Sequence, residues 1–192
     1  MVNFCDAVVA IAITLLILPL VDAASNIGTL SVGELFAQNA FLLFVFVLSF
    51  AVIGNFWLVH HRLYEQVIDY NVPLLWANLL WLLTIVFLPF PTELLGSGDR
   101  RDLATYAVYI GTLVLTSAAI LLQQVIVVRS ADLHAPGNQR PPSLRPYVIT
   151  TILLILAFAV AVTIRGIGLW SLLLLAVGRP LERLLQELQR PH

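Results

Sequence analysis

The sequence contains no lysine; all ten of its basic residues are arginine. It has one cysteine, Cys5, which excludes a disulfide-stapled secreted scaffold, since such scaffolds need thiols in pairs. Charge of either sign is scarce. Acidic and basic residues together make 11% of the 192 positions, against roughly a quarter in an ordinary soluble domain. So few charges cannot cover the apolar surface that a water-soluble fold would expose. The net charge of −1 and pI of about 6.4 exclude the basic field that attracts nucleic acid. What is abundant is apolar: 60% of residues are hydrophobic and the mean hydropathy is +0.95, which excludes a disordered chain. An all-α integral membrane protein remains, of a size that suits one bundle. The lysine-free, Ala- and Leu-rich composition points to a GC-rich prokaryotic genome.

A helix crosses about 30 Å of hydrocarbon with about 20 mostly apolar residues. The apolar runs predict spans over 4–21, 37–59, 73–90, 103–128 and 147–164, the third closed by Pro89-Phe90-Pro91. The first is not expected to be a cleaved signal, because it opens on Asp6, lacks a positive leader and is too long. A sixth span over 167–178 is short, and Arg165-Gly166 would join it to the fifth as a tight hairpin. Beyond Arg179-Pro180 the run Leu181 to Leu188 is amphipathic at helical spacing, so the sixth span is expected to continue along the interface. The segment Ala131 to Pro146 reads as a linker. The whole of 1–192 is thus expected to be one six-helix transmembrane domain without an internal repeat.

Arginine bias sets the orientation. With the N-terminus inside, Arg62, Arg129, Arg140, Arg145, Arg179, Arg183 and Arg190 lie on the inner side, and Arg100, Arg101 and Arg165 outside. Both termini are therefore expected in the cytoplasm.

Ionisable groups within a membrane are costly and mark function by default. Asp6 opens the first span, and His60 and His61 close the second. The first span runs outward and the second inward, so these residues share one depth. Trp57 lies one turn from His61 on the same face. An Asp6–Trp57–His61 cluster tying the two helices together is geometrically natural. The alternative is that all three sit at the interface, with tryptophan in the aromatic belt and the polar groups in headgroup water. On the residues alone both readings stand. Adjacent histidines point about 100° apart and cannot share one metal, and haem ligation lacks a second histidine on another span. No Ser/His/Asp set, HExxH or glycine-rich phosphate loop is present, so neither enzyme chemistry nor a bound cofactor is expected. Cys5 has no basic neighbour to stabilise a thiolate and reads as a small buried residue.

The first span is otherwise apolar. One stripe carries Ala7, Ile11, Thr14, Leu15 and Leu18, and Asp6 faces about 140° away from Ile11. Ala7, Ala10 and Thr14 would let helices approach closely, and a helix of this kind usually serves packing.

Three segments together resemble the transmembrane-protein-175 family, the potassium channels of lysosomes and their prokaryotic relatives. The first reads Phe4-Cys5-Asp6 followed by Ala10-Ile11-Ala12-Ile13-Thr14, where the family has Phe-Ser-Asp and Ala-Ile-x-x-Thr. The second runs from Ser49 to Arg62 and includes Gly54-Asn55-Phe56-Trp57 and His60-His61. The third reads Asn78-Leu79-Leu80-Trp81 and then Leu88-Pro89-Phe90-Pro91-Thr92. The resemblance covers the first half of the chain. Two departures accompany it: Cys5 replaces the family serine, and the arginine four residues before the phenylalanine has no counterpart, since Met1 stands three before it. Either the native start lies upstream or the anchoring of the first helix is weakened.

The resemblance implies a six-helix subunit, a homotetramer in a prokaryotic plasma membrane, and potassium as the permeant ion. It places the pore on the first helix, with Ile11 as a hydrophobic constriction, Leu15 and Leu18 narrowing the path, and Thr14 as the selectivity ring. Asp6, Trp57 and His61 map onto an interhelical network. A ring of four Ile11 side chains would gate by dewetting, and four neutral hydroxyls would give modest preference for potassium. A proton-coupled transporter or proton conductor using Asp6 and His61 is the alternative.

Overall fold

The computed structural model describes residues 2–25, 28, 31–65, 67–98, 102–130, 133, 143–164 and 167–177. Five helical stretches among them are long and apolar enough to cross a membrane: Val2–Ser25, Ala40–Tyr64, Val72–Ser97, Leu103–Arg129 and Arg145–Thr163. The protein is a multi-pass, all-helical membrane protein.

The first stretch is two helices, α1 (Val2–Leu15) and α2 (Leu18–Ser25). Their junction follows from Pro19, which has no N–H and whose ring would strike the carbonyl four residues back. The backbone tightens there, Leu16 bonding to Ile13 and Ile17 to Thr14, both at 3.3 Å. The third stretch repeats this device. Helix α5 (Val72–Phe87) gives way to α6 (Pro89–Ser97), with Leu88 bonded to Ile85 at 3.2 Å. The prolines at the start of α6 sit in a first helical turn, where the missing donor costs nothing, so the helix runs on past Phe90. Ahead of the second span, the short α3 (Val32–Gln38) is fixed by a capping box between Ser31 and Glu34, and α4 (Ala40–Tyr64) follows at once. Helices α7 (Leu103–Arg129) and α8 (Arg145–Thr163) complete the five.

The segment Gly168–Val177 is a 3-10 helix of 10 residues. At about 2 Å per residue it covers about 20 Å, short of the hydrocarbon thickness. By itself this described stretch falls short of the expected sixth span. The hairpin residues Arg165-Gly166, the amphipathic run after Arg179-Pro180, and most of the 131–146 linker lie outside them.

Helix α7 is the hub, packed against α8, α5, α6 and α4. In its most apolar stretch 56% of the residues are buried, whereas the first and second spans are only 22% buried. Polar side chains cross the interior in pairs. Tyr109 Oη lies 3.1 Å from Ser49 Oγ, which accepts from Thr92 Oγ1 at 3.0 Å, tying together α7, α4 and α6. Tyr64 donates to Gln123 at 2.9 Å, and Ser117 meets Thr151 at 2.8 Å between α7 and α8. Each such bond is worth about 0.6–2 kcal/mol in a membrane interior.

Candidate functional site

Helix α1 has two unlike faces. Cys5, Val9, Ala12 and Leu16 recur at steps of four, three and four, and all four are buried. They pack against α4, α5 and α6. At 100° per residue, the stripe of Ala7, Ile11, Thr14, Leu15 and Leu18 centres on the opposite side of the helix. All five are exposed, Ile11 by 60% and Leu18 by 51%. Thr14 Oγ1 donates to the Ile11 carbonyl at 2.7 Å. That spends its hydrogen on the backbone and leaves the oxygen lone pairs as acceptors on the bare face.

Asp6 sits on the shoulder between the faces, partly buried, and Trp57 Nε1 donates to its Oδ1 at 2.7 Å. This is a charge-assisted bond from α4 to α1. His61 lies over Trp57, with ring centroids 5.4 Å apart, and its Nε2 is 3.8 Å from Glu65 Oε1. Its Nδ1 is buried and has no hydrogen-bond partner among the described residues. Thus Trp57 joins Asp6 directly, while His61 reaches the pair only through the tryptophan ring.

His60 is the histidine that crosses to another helix. It is buried on α4, with Nε2 donating to Asn78 Oδ1 of α5 at 2.7 Å, a pairing that requires the Nε2–H tautomer. The same amide turns its Nδ2 to Cys5 Sγ at 3.2 Å. Cys5, Asn78 and His60 therefore form a buried bridge over α1, α5 and α4. The His60 ring is stacked on Trp81 at 3.8 Å and 8°, and the Tyr64 ring lies tilted against it at 4.5 Å. Sequence reasoning passed over Asn78 and Trp81 as parts of this bridge. The available signal was an amide inside a long apolar run, which is costly unless paired. Cys5 is the small buried residue expected of it.

Among the described residues no group of three or more potential metal ligands exists. Asp6 and His60 are spent on joining helices, whereas the contacts of His61 stay with Trp57 and Glu65.

The fold and site define a polytopic membrane protein whose first helix is fastened along one side and bare along the other. The sequence model of the endosomal/lysosomal potassium channel TMEM175 family matches residues 1–89, the stretch that holds every residue just described. A potassium channel of Streptomyces collinus is 36% identical over 144 residues, covering 72% of this chain and 68% of the relative. One from a Chryseobacterium is 34% identical over 127 residues, covering 65% and 62%. A third, from Chamaesiphon minutus, is 37% identical over 97 residues, covering 48% and 46%. No solved structure matches the chain. The chain belongs to the TMEM175 family, whose members are channels and not enzymes.

Proposed function

We propose that the chain is a potassium-preferring cation channel, formed as a homotetramer in a prokaryotic plasma membrane around four copies of α1. Six spans per subunit and both termini in the cytoplasm complete this reading. The observation that carries it is the division of α1: one side is held by buried polar contacts to two neighbouring spans, and the other leaves Ile11, Thr14, Leu15 and Leu18 uncovered. A pore-lining helix must be anchored so, because its other side faces the ion path. The named potassium channels among the relatives support potassium as the permeant ion.

Four Ile11 side chains on one axis offer nothing that replaces ion hydration, so the ring closes the path by dewetting. Thr14 lies about 4.5 Å further along, one helical turn outward. Its acceptor oxygens, free because the hydroxyl hydrogen is bonded to the backbone, form a neutral ring. Such a ring favours the cation that gives up water more readily, potassium over sodium. Asp6, Trp57 and His61, with Cys5, Asn78 and His60, hold α1 at its spacing from the axis. The purified protein in planar bilayers, under a potassium/sodium gradient, is expected to reverse at a potential displaced from zero toward the potassium potential. Thr14→Val is expected to move that reversal toward zero while current persists. An unchanged reversal would remove the selectivity role, and absence of current from the wild type would remove the channel. A saturable, proton-dependent flux abolished by His61→Ala would instead favour the proton-coupled alternative.

A further inference from the structure

Helix α1 is fastened, and α2 is not. Cys5, Val9 and Ala12 are buried along α1, whereas no residue of α2 is buried. The two helices meet at Leu16 and Ile17, which bond back only three residues, both at 3.3 Å, longer than the usual range. Pro19 has no N–H with which to renew the four-residue ladder beyond them. A short 3-10 stretch inside a helical span is a place where such a span hinges. The bare stripe of α1 crosses this joint, because Val21, 50% exposed, follows Leu18 by three residues.

Behind α2 lies a cavity of about 240 Å³. Pro19 and Ala23 wall it on the side of α2, and Asn39, Leu42, Glu93 and Gly96 wall it on the side of α4 and α6. A Cβ on Gly96 would strike the Leu42 side chain, so α4 and α6 are closely joined there. Thr92 of α6 also bonds to Ser49 of α4, which fixes the far wall further. Ala23 faces about 160° away from Val21, so a movement of α2 into the cavity withdraws Val21 from the stripe. A helix of eight residues is about 12 Å long and 10 Å across, and a mean sideways shift of about 2 Å sweeps a volume of this size. Made by four copies, that shift widens a shared path by about 4 Å, more than the width of a water molecule.

We propose that α2 is a hinged outer gate, which swings about Leu16 and Ile17 into this cavity and draws Val21 out of the ion path. Ile11 and Thr14 stay with the fastened α1. The gate rests on the reading of α1 as the pore helix, and it adds a movable constriction at Val21 in series with the ring at Ile11.

Hydrogen exchange of the purified full chain in lipid nanodiscs tests the hinge itself. The amides of Leu18–Ser25 are expected to exchange at least about tenfold faster than those of Val8–Leu15. Pro19→Ala, which returns an N–H within reach of the Leu15 carbonyl, is expected to remove that contrast. Equal exchange of the two segments in wild type would overturn the proposal whether or not the chain conducts. Currents in planar bilayers test the gate. Ala23→Trp, which fills the cavity from α2, is expected to abolish current. A short thiol cross-linker between Ala23→Cys and Ser97→Cys, both at the cavity, is expected to do the same, with current restored by reduction. Current unaltered by the cross-link would overturn the gate even if Ala23→Trp fails to fold. No current from wild type, with the exchange contrast intact, would overturn the pore reading and the gate with it, leaving the hinge.

Discussion

Asn78 is the residue on which the first three spans converge. Its carbonyl accepts from His60, and its amide donates to Cys5, all three being buried. Replacing it with leucine leaves two polar groups without partners, each at a cost of about 1–3 kcal/mol. Asn78→Leu is therefore expected to unfold in detergent well before wild type, with Cys5→Val intermediate. Cys5→Ser, which restores a stronger donor and acceptor at the same place, is expected to raise stability by about 0.5–1 kcal/mol. Reversible unfolding in mixed micelles, followed by tryptophan fluorescence, measures all three. A neutral Asn78→Leu would dismiss the bridge. At this scale the sequence was half legible. Shared depth and one-turn spacing bring Asp6 and Trp57 together, since they need only helix direction and pitch. They do not decide between two adjacent histidines, because which of them faces inward is set by the rotation of α4 against α5. Only the packing of Trp81 against His60 reveals that rotation.

Among the elements, the break before Pro19 was not legible in the sequence, whereas five spans were legible from apolar length. The reach of the third stretch beyond Phe90 was less so, because a proline that ends one helix also serves as the first turn of the next. The short α3 rests on local bonds alone. Ser31 Oγ accepts from the Glu34 amide at 3.3 Å, while Glu34 Oε2 accepts from the Ser31 amide at 2.7 Å and its hydroxyl at 2.6 Å. These bonds favour the charged carboxylate and hold the exposed Glu34 below its ordinary range. A depressed carboxyl pKa stabilises the folded helix above the unfolded-state pKa, and that contribution is lost as pH falls through the folded-state value. Hydrogen-exchange protection at Glu34 and Leu35 is therefore expected to hold at neutral pH and to fall in acid. Ser31→Ala should show the lower protection at every pH. Protection that is independent of pH in wild type would mean that α3 is held by something other than its box.

For the whole molecule, the uneven burial is the informative quantity. The first and second spans stay mostly uncovered while α7 is more than half buried, so a single copy leaves its first helix unfinished along the Ile11 stripe. Exposed apolar residues in a membrane cost nothing against lipid, so hydrophobicity alone cannot say whether that stripe meets acyl chains or other copies of itself. The two cases differ in what a polar substitution does. If the stripe meets lipid, Ile11→Asn buries an unpaired amide in hydrocarbon and lowers stability without changing ion flux. If four copies meet at Ile11, the same change wets the narrowest ring, because four amides supply what the isoleucines lack. Potassium flux into liposomes loaded with the Ile11→Asn protein is then expected to rise about tenfold or more, which corresponds to about 1.4 kcal/mol off the barrier to wetting. Ile11→Cys, oxidised in membranes, is expected to cross-link between copies, and cadmium added to it should block the current. Flux unchanged by Ile11→Asn, together with no cross-link at Ile11→Cys, would move the pore away from α1.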